Sequence, residues 1–133
     1  MIVVDTSAIV AIAFAEPERE SFVAIIQSAE KALISTVSVV EARMVLHGRR
    51  GQRAVVLVDD LLRLPAFEIG APSAAESNAT YAAFVAYSKD SGHAAGLNFG
   101  DVFSYALAKV RGLPLLFNGN DFSETDIAIA VSK

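Results

Sequence analysis

Ile2-Val3-Val4-Asp5-Thr6-Ser7 constrains this chain more than any other stretch. Three branched apolar residues in a row fit a strand buried on both faces, as in parallel sheets. Asp5 falls where that strand should end. Two small hydroxyl residues and an apolar run, Ala8 to Ala15, follow and read as a helix. In open α/β sheets, ligands gather at the carboxyl ends of the strands. Asp5 is therefore a candidate site residue. Asp, Thr and Ser also cap helices, and on this stretch alone a cap is the commoner explanation.

The remaining pattern extends the α/β reading. Pro17 suits the first turn of a second helix, with Phe22, Val23, Ile25 and Ile26 on its apolar face. Ala32 to Ser35 reads as a second strand. Thr36 or Ser38 then opens a helix to about His47. His47 to Arg53 is a basic turn carrying Gly48 and Gly51, and a helix follows to about Arg63. Pro65 stops it, and Phe67-Glu68-Ile69 is a third strand. Pro72-Ser73 begins a long helix to about Ser91, and Gly92 to Gly100 is a loop. Asp101 begins a helix ending at Gly112, which suits the left-handed residue after a helix. Leu113 to Phe117 is a fourth strand, Asn118 to Asp121 a turn, and Ile127 to Val131 an edge strand. The expected fold is a three-layer α/β/α sandwich around a mainly parallel sheet of four to five strands, with residues 1–133 as one domain.

Three further acids join Asp5. Glu41 lies three residues after Ser38, a capping-box spacing. Asp101 lies three after Asn98, where a first helical turn welcomes negative charge. Asp121 suits an Asx-turn, or a cap with Glu124 three residues on. Singly, each bland reading is at least as good as a functional one. Together the topology changes the balance. Helices that connect parallel strands run antiparallel to them, so helix starts and strand ends share one edge of the sheet. Asp5 and Asp121 follow strands; Glu41 and Asp101 open helices. Four carboxylates on one edge would raise each other's pKa unless a cation neutralised them. Oxygen donors without His or Cys select hard ions, Mg²⁺ or Mn²⁺. Such an ion orients water and stabilises charge on a phosphoryl oxygen, the chemistry of phosphodiester hydrolysis.

Charge and composition bear on the partner. The net charge of −4 argues against a general nucleic-acid coat. With those four acids set aside, the 11 that remain balance the 11 Lys and Arg. The acidic excess is then one site's worth and does not exclude a polyanionic substrate. Apolar residues make up 53% of the chain, a surplus that suits a partner-binding surface. The absence of cysteine removes disulfides, thiolate metal sites and thiol nucleophiles, and fits a cytoplasmic location. No stretch reads as a membrane span.

The ordered set with its flanking residues resembles the PIN-domain ribonucleases, and closely the VapC-type toxins of bacterial toxin–antitoxin pairs. The resemblance runs over nearly the full length. It rests on Ile2 to Ser7, Glu41 in the helix after strand two, Leu97-Asn98-Phe99-Gly100-Asp101, and Leu115 to Phe122 followed by Thr125-Asp126. It implies a metal-dependent endoribonuclease acting on tRNA or rRNA. By analogy Asp5 and Asp101 ligate Mg²⁺, for which Mn²⁺ can substitute. Glu41 and Asp121 complete the acidic pocket, through water or at a second ion. Thr6 or Ser7 holds a water or a carboxylate, and Asp126 competes with Asp121 as the fourth acid. Relatives often carry a basic residue where this chain has Asn118. The family implies a VapB-like antitoxin, a homodimer, and operator DNA reached only through the antitoxin.

Other residues have plainer readings. His47 and His93 are read as ordinary loop histidines. Arg49, Arg50 and Arg53 are balanced between RNA phosphate contacts and a solvated turn. Tyr81, Phe84 and Tyr87 share a helical spacing that suits packing. Two other classes lack a required residue: phosphoaspartate phosphatases want an acid where Ser7 stands, and receiver-type signalling domains want a lysine near Phe117-Asn118. A catalytically silent interaction module is the non-enzymatic alternative.

Overall fold

The computed structural model describes residues 1–131. Four parallel strands form the sheet: β1 (Ile2–Val4), β2 (Ala32–Ser35), β3 (Phe67–Gly70) and β4 (Leu115–Leu116), in the order β3-β2-β1-β4. Six helices surround it: α1 (Thr6–Ala13), α2 (Arg19–Ser28), α3 (Thr36–Arg50), α4 (Gln52–Leu62), α5 (Ala74–Tyr87) and α6 (Phe99–Arg111). The first strand of the sequence is thus interior to the sheet, between β2 and β4.

Strand side chains alternate between the two layers, as the pleat requires. Ile2, Val4, Ala32, Ile34 and Leu116 face a core completed by α1 to α4. Val3, Leu33 and Leu115 face a second core with Val102, Tyr105 and Ala108 of α6 and Ala83 of α5. The α/β/α sandwich expected from the sequence is the observed one. α6 also packs against α3.

Several boundaries differ from the sequence reading, for local reasons. α1 starts at Thr6, directly after Asp5, and α2 starts at Arg19 rather than at Pro17. The basic turn is mostly helix. α3 continues through Gly48, Arg49 and Arg50, and only Gly51, at φ 76°, separates it from α4. α5 stops at Tyr87 because Ser88 turns extended and caps a 3-10 turn over Lys89–Ser91. α6 starts at Phe99, two residues before Asp101. The expected fifth strand at Ile127 to Val131 is not formed. β4 offers only two residues, so that segment bonds around Leu115 alone. The Leu115 N–H donates to the Ala128 carbonyl and the Ala130 N–H to the Leu115 carbonyl, both at 2.9 Å. Among the described residues no helix is long and apolar enough to cross a membrane.

Candidate active site

Asp5 is both the cap and a buried acid at the centre of the edge. It is 2% exposed and takes extended backbone angles as the N-cap of α1. Its Oδ2 accepts the Ser7 N–H at 3.0 Å and the Ser7 hydroxyl at 2.7 Å. Its Oδ1 accepts the Ser104 hydroxyl at 2.6 Å, from α6. Burial pushes its carboxyl above the ordinary value, and these donors pull against that shift. Ser7 Oγ in turn accepts the Asn118 N–H at 2.9 Å, which ties the ends of β1 and β4 together. Of the two hydroxyls after the first strand, Ser7 therefore holds the carboxylate.

Glu41 reaches the same edge by a different route than the sequence suggested. Ser35, not Ser38, caps α3, accepting the Val37 N–H at 3.1 Å. Glu41 therefore lies in the second turn, and the expected Ser38–Glu41 capping box does not form. The Glu41 carboxylate lies against Gly100, in the first turn of α6, so closely that a Cβ at that position would collide with it. Burial raises the Glu41 carboxyl first of all, and the Asp5 charge raises it further. The Thr6 hydroxyl lies near enough to lower it, although its single proton is directed at the Ser38 carbonyl, 3.2 Å away.

Asp101 closes a capping box with Asn98. The Asp101 N–H donates to Asn98 Oδ1 at 2.9 Å and the Asn98 N–H to Asp101 Oδ2 at 3.0 Å. Its carboxyl is raised to about 7. Burial is the largest cause, the Asn98 N–H opposes it, and the charges of Asp5, Asp121 and Glu41 add to it. That one side chain feels all three others as like charges. Asp121 opens a 3-10 turn over Asp121–Glu124 at the exposed rim. The cap it was expected to supply is absent, since Asn120 takes the N-cap position without a side-chain bond.

The edge thus brings Asp5, Glu41 and Asp121 within electrostatic range of Asp101. Among the described residues, none of the four has a Lys or Arg ion-pair partner. Also among them, no three acids already close around one point at ligand distance. An all-oxygen donor set with uncompensated charge fits a hard divalent cation.

Asp126 is placed differently. It accepts the Tyr105 hydroxyl and pairs with Lys109 Nζ at 2.7 Å, and these two contacts lower its carboxyl. It does not number among the charges acting on Asp101, whereas Asp121 does.

Sequence reasoning missed Ser104, and it gave Ser38 and Gly100 other places than the ones they take beside Ser104 and Glu41. Ser104 follows Asp101 by three residues on a buried, otherwise apolar helix face, and that lone hydroxyl was the available signal. The packing role expected for Tyr81 and Phe84 is corrected. They are 70% and 41% exposed, with their rings stacked, because the face of α5 against α6 is lined by the smaller Thr80 and Ala83 instead. Tyr87 does pack, against Tyr105 and edge-on to His93. His93 accepts the Ala95 N–H within its loop, and His47 is helical rather than in a loop. Arg49 and Arg50 lie over the Phe14 ring at the far end of α3 from Thr36. Asn118 donates its side-chain amide to Glu16 at 3.1 Å.

A parallel sheet with acids at its carboxyl edge is what the resemblance to PIN domains implied. The chain belongs to that family, whose model matches residues 2–128. Within it the chain is of the VapC type. It is 44% identical over 126 residues to Ribonuclease VapC30 of Mycobacterium tuberculosis, covering 95% of each chain. It is 40% identical to a Ribonuclease VapC of Mycolicibacterium smegmatis, over 95% of this chain and 97% of the relative. Among solved structures, Mycobacterium tuberculosis VapC20, described as a sarcin–ricin loop cleaving toxin, superposes with a TM-score of 0.81 at 18% identity. That match covers 99% of this chain and 100% of the other. VapBC2 from Rickettsia felis, bound to a fragment of its promoter DNA, gives 0.74 at 16% identity, over 97% and 96%.

Proposed function

We propose that this chain is a Mg²⁺-dependent endoribonuclease, the toxin of a toxin–antitoxin pair. The observation that carries the proposal is the shared carboxyl edge: α6 carries Asp101 in its first turn, holds the Asp5 carboxylate through Ser104, and has the Glu41 carboxylate against its Gly100. Asp5 and Asp101 are the residues that would hold the ion, and Mn²⁺ could replace it. When bound, the ion supplies Lewis-acid activation of water and charge stabilisation at a phosphoryl oxygen. Glu41 and Asp121 flank that position and are the groups available to take the water's proton. Asp5 needs its Ser7 and Ser104 bonds to stay oriented while buried. Ser7 also keeps Asn118, and with it the turn toward Asp121, against the end of β1.

Names of the relatives support RNA as substrate, with tRNA or rRNA the expected classes. The VapBC and FitAB complexes among the structural neighbours support a VapB-like antitoxin partner, with operator DNA reached through it. An apolar groove lined by Val40, Met44, Val45 and Phe99 opens beside Glu41 and suits protein contacts, including those of a homodimer. Cleavage of RNA in Mg²⁺, abolished by EDTA and by Asp5→Ala, is the expected outcome. Undiminished cleavage by the Asp5 variant would refute the assignment.

A further inference from the structure

Ser104 sits in the interior of α6, 1% exposed, and its hydroxyl proton goes to Asp5 Oδ1 at 2.6 Å, across 99 residues of sequence. A serine inside a helix has a nearer option, the carbonyl one turn back. Thr80 in α5 takes that option, donating to the Glu76 carbonyl at 2.7 Å. Ser104 does not. Its proton being spent on Asp5, the 3.2 Å contact with Ser38 Oγ must be donated by Ser38. Ser38 is fully buried and comes from α3, the helix that carries Glu41. The Ser38 carbonyl accepts the Thr6 hydroxyl, which returns the chain of bonds to the end of β1.

These bonds link the elements that deliver three of the four acids, Asp5, Glu41 and Asp101. Asp101 and Ser104 are three residues apart on α6 and so share a face. The helix that presents Asp101 therefore also holds the carboxylate of Asp5. Ser7 fixes one oxygen of Asp5 from its own helix start; Ser104 fixes the other from across the pocket.

We infer that Ser104, supported by Ser38, is a positioning residue that sets the orientation of Asp5 relative to Asp101, and through it the affinity of the site for a divalent cation. The inference rests on the metal-site reading above, and the experiment separates the two. Mn²⁺ binding is measured by calorimetry on the wild type, Ser104→Ala, Ser104→Cys and Ser104→Thr. Partners that orient metal ligands typically contribute about 10- to 100-fold in affinity. Ser104→Ala is expected to weaken Mn²⁺ binding by about tenfold or more, with helical content unchanged. Ser104→Cys keeps the volume but donates poorly, and is expected to resemble Ala. Ser104→Thr keeps the hydroxyl and is expected to recover most of the affinity. Affinities for Ala and Cys within twofold of wild type would overturn the inference, as would a Cys variant that behaves like Thr. Crystal structures of metal-free wild type and Ser104→Ala test the same point without the cation. The Asp5 carboxylate is expected to rotate in the variant, and an unmoved carboxylate overturns the positioning role. A wild type that binds no Mn²⁺ would overturn the metal-site reading, and the crystallographic comparison would then decide the role of Ser104.

Discussion

Helix α6 touches two acids with opposite surroundings. Asp101, in its first turn, is 8% exposed, has no cation beside it and is pushed up to about 7 by burial and by three like charges. Asp126 lies against the middle and end of the same helix, half-exposed, bonded to Tyr105 and Lys109, and is pulled below its usual value. Paired charge of the second kind fastens a segment in place. Unpaired charge of the first kind costs stability, and persists because the edge is held by other bonds. Among the described residues the fold supplies a counter-charge to Asp126 and none to Asp101.

Asp101→Asn should break the contrast most visibly. Asn keeps an acceptor for the Asn98 N–H but removes a charge from the pocket. RNA cleavage should fall on the order of 10³-fold. The metal-free protein should melt higher than wild type, because repulsion is relieved. A lower melting temperature together with retained cleavage would place Asp101 with the structural acids.

Gly100→Ala sharpens the comparison from the other side of the pocket. The new Cβ meets the Glu41 carboxylate and must displace it. Alanine favours helix, so the fold should hold. Cleavage should drop about tenfold or more, as expected for a shifted pocket group. Full activity with normal metal binding would remove Glu41 from the site.

The stability of the metal-free protein should depend on pH in the sense set by Asp101. Its folded carboxyl lies above the ordinary value, so the folded state binds more protons between pH 3.8 and about 7. Stability should therefore fall as pH rises through that window. Denaturant midpoints across the window measure this directly. Mn²⁺ should restore most stability at the upper end, where the pocket is charged.

Asp126→Asn should do least. Its ion pair is half-exposed, and pairs of that kind add little to stability. Cleavage should stay within about twofold and the melting temperature should drop slightly. A large loss of cleavage would reverse the assignment of Asp121 over Asp126.

The contrast also explains what the sequence could and could not reveal. That Asp5, Glu41 and Asp121 would lie near Asp101 was legible because parallel topology sends strand ends and helix starts to one edge. The Asn98–Asp101 capping box was legible because its partners are local. Ser104 was not, because its partner is 99 residues away and a lone hydroxyl on a buried helix face is all that marks it locally. Glu41 was assigned to the first helical turn because Ser38 mimicked a cap, while Ser35, three residues earlier and the last residue of β2, performs that role. Tyr81 and Phe84 look like core by spacing, but α5 packs through its small residues. The last edge strand failed because pairing depends on how far β4 extends, which is a tertiary outcome.

The most direct test is a crystal soaked in Mn²⁺ and read by anomalous scattering. The expected result is a peak between Asp5 and Asp101, with carboxylate oxygens from both at about 2.0–2.3 Å, typical of small hard cations. Glu41 and Asp121 should border that peak directly or through water. A pocket that stays without a peak at saturating Mn²⁺, or a peak bound only at Asp126, would contradict the account.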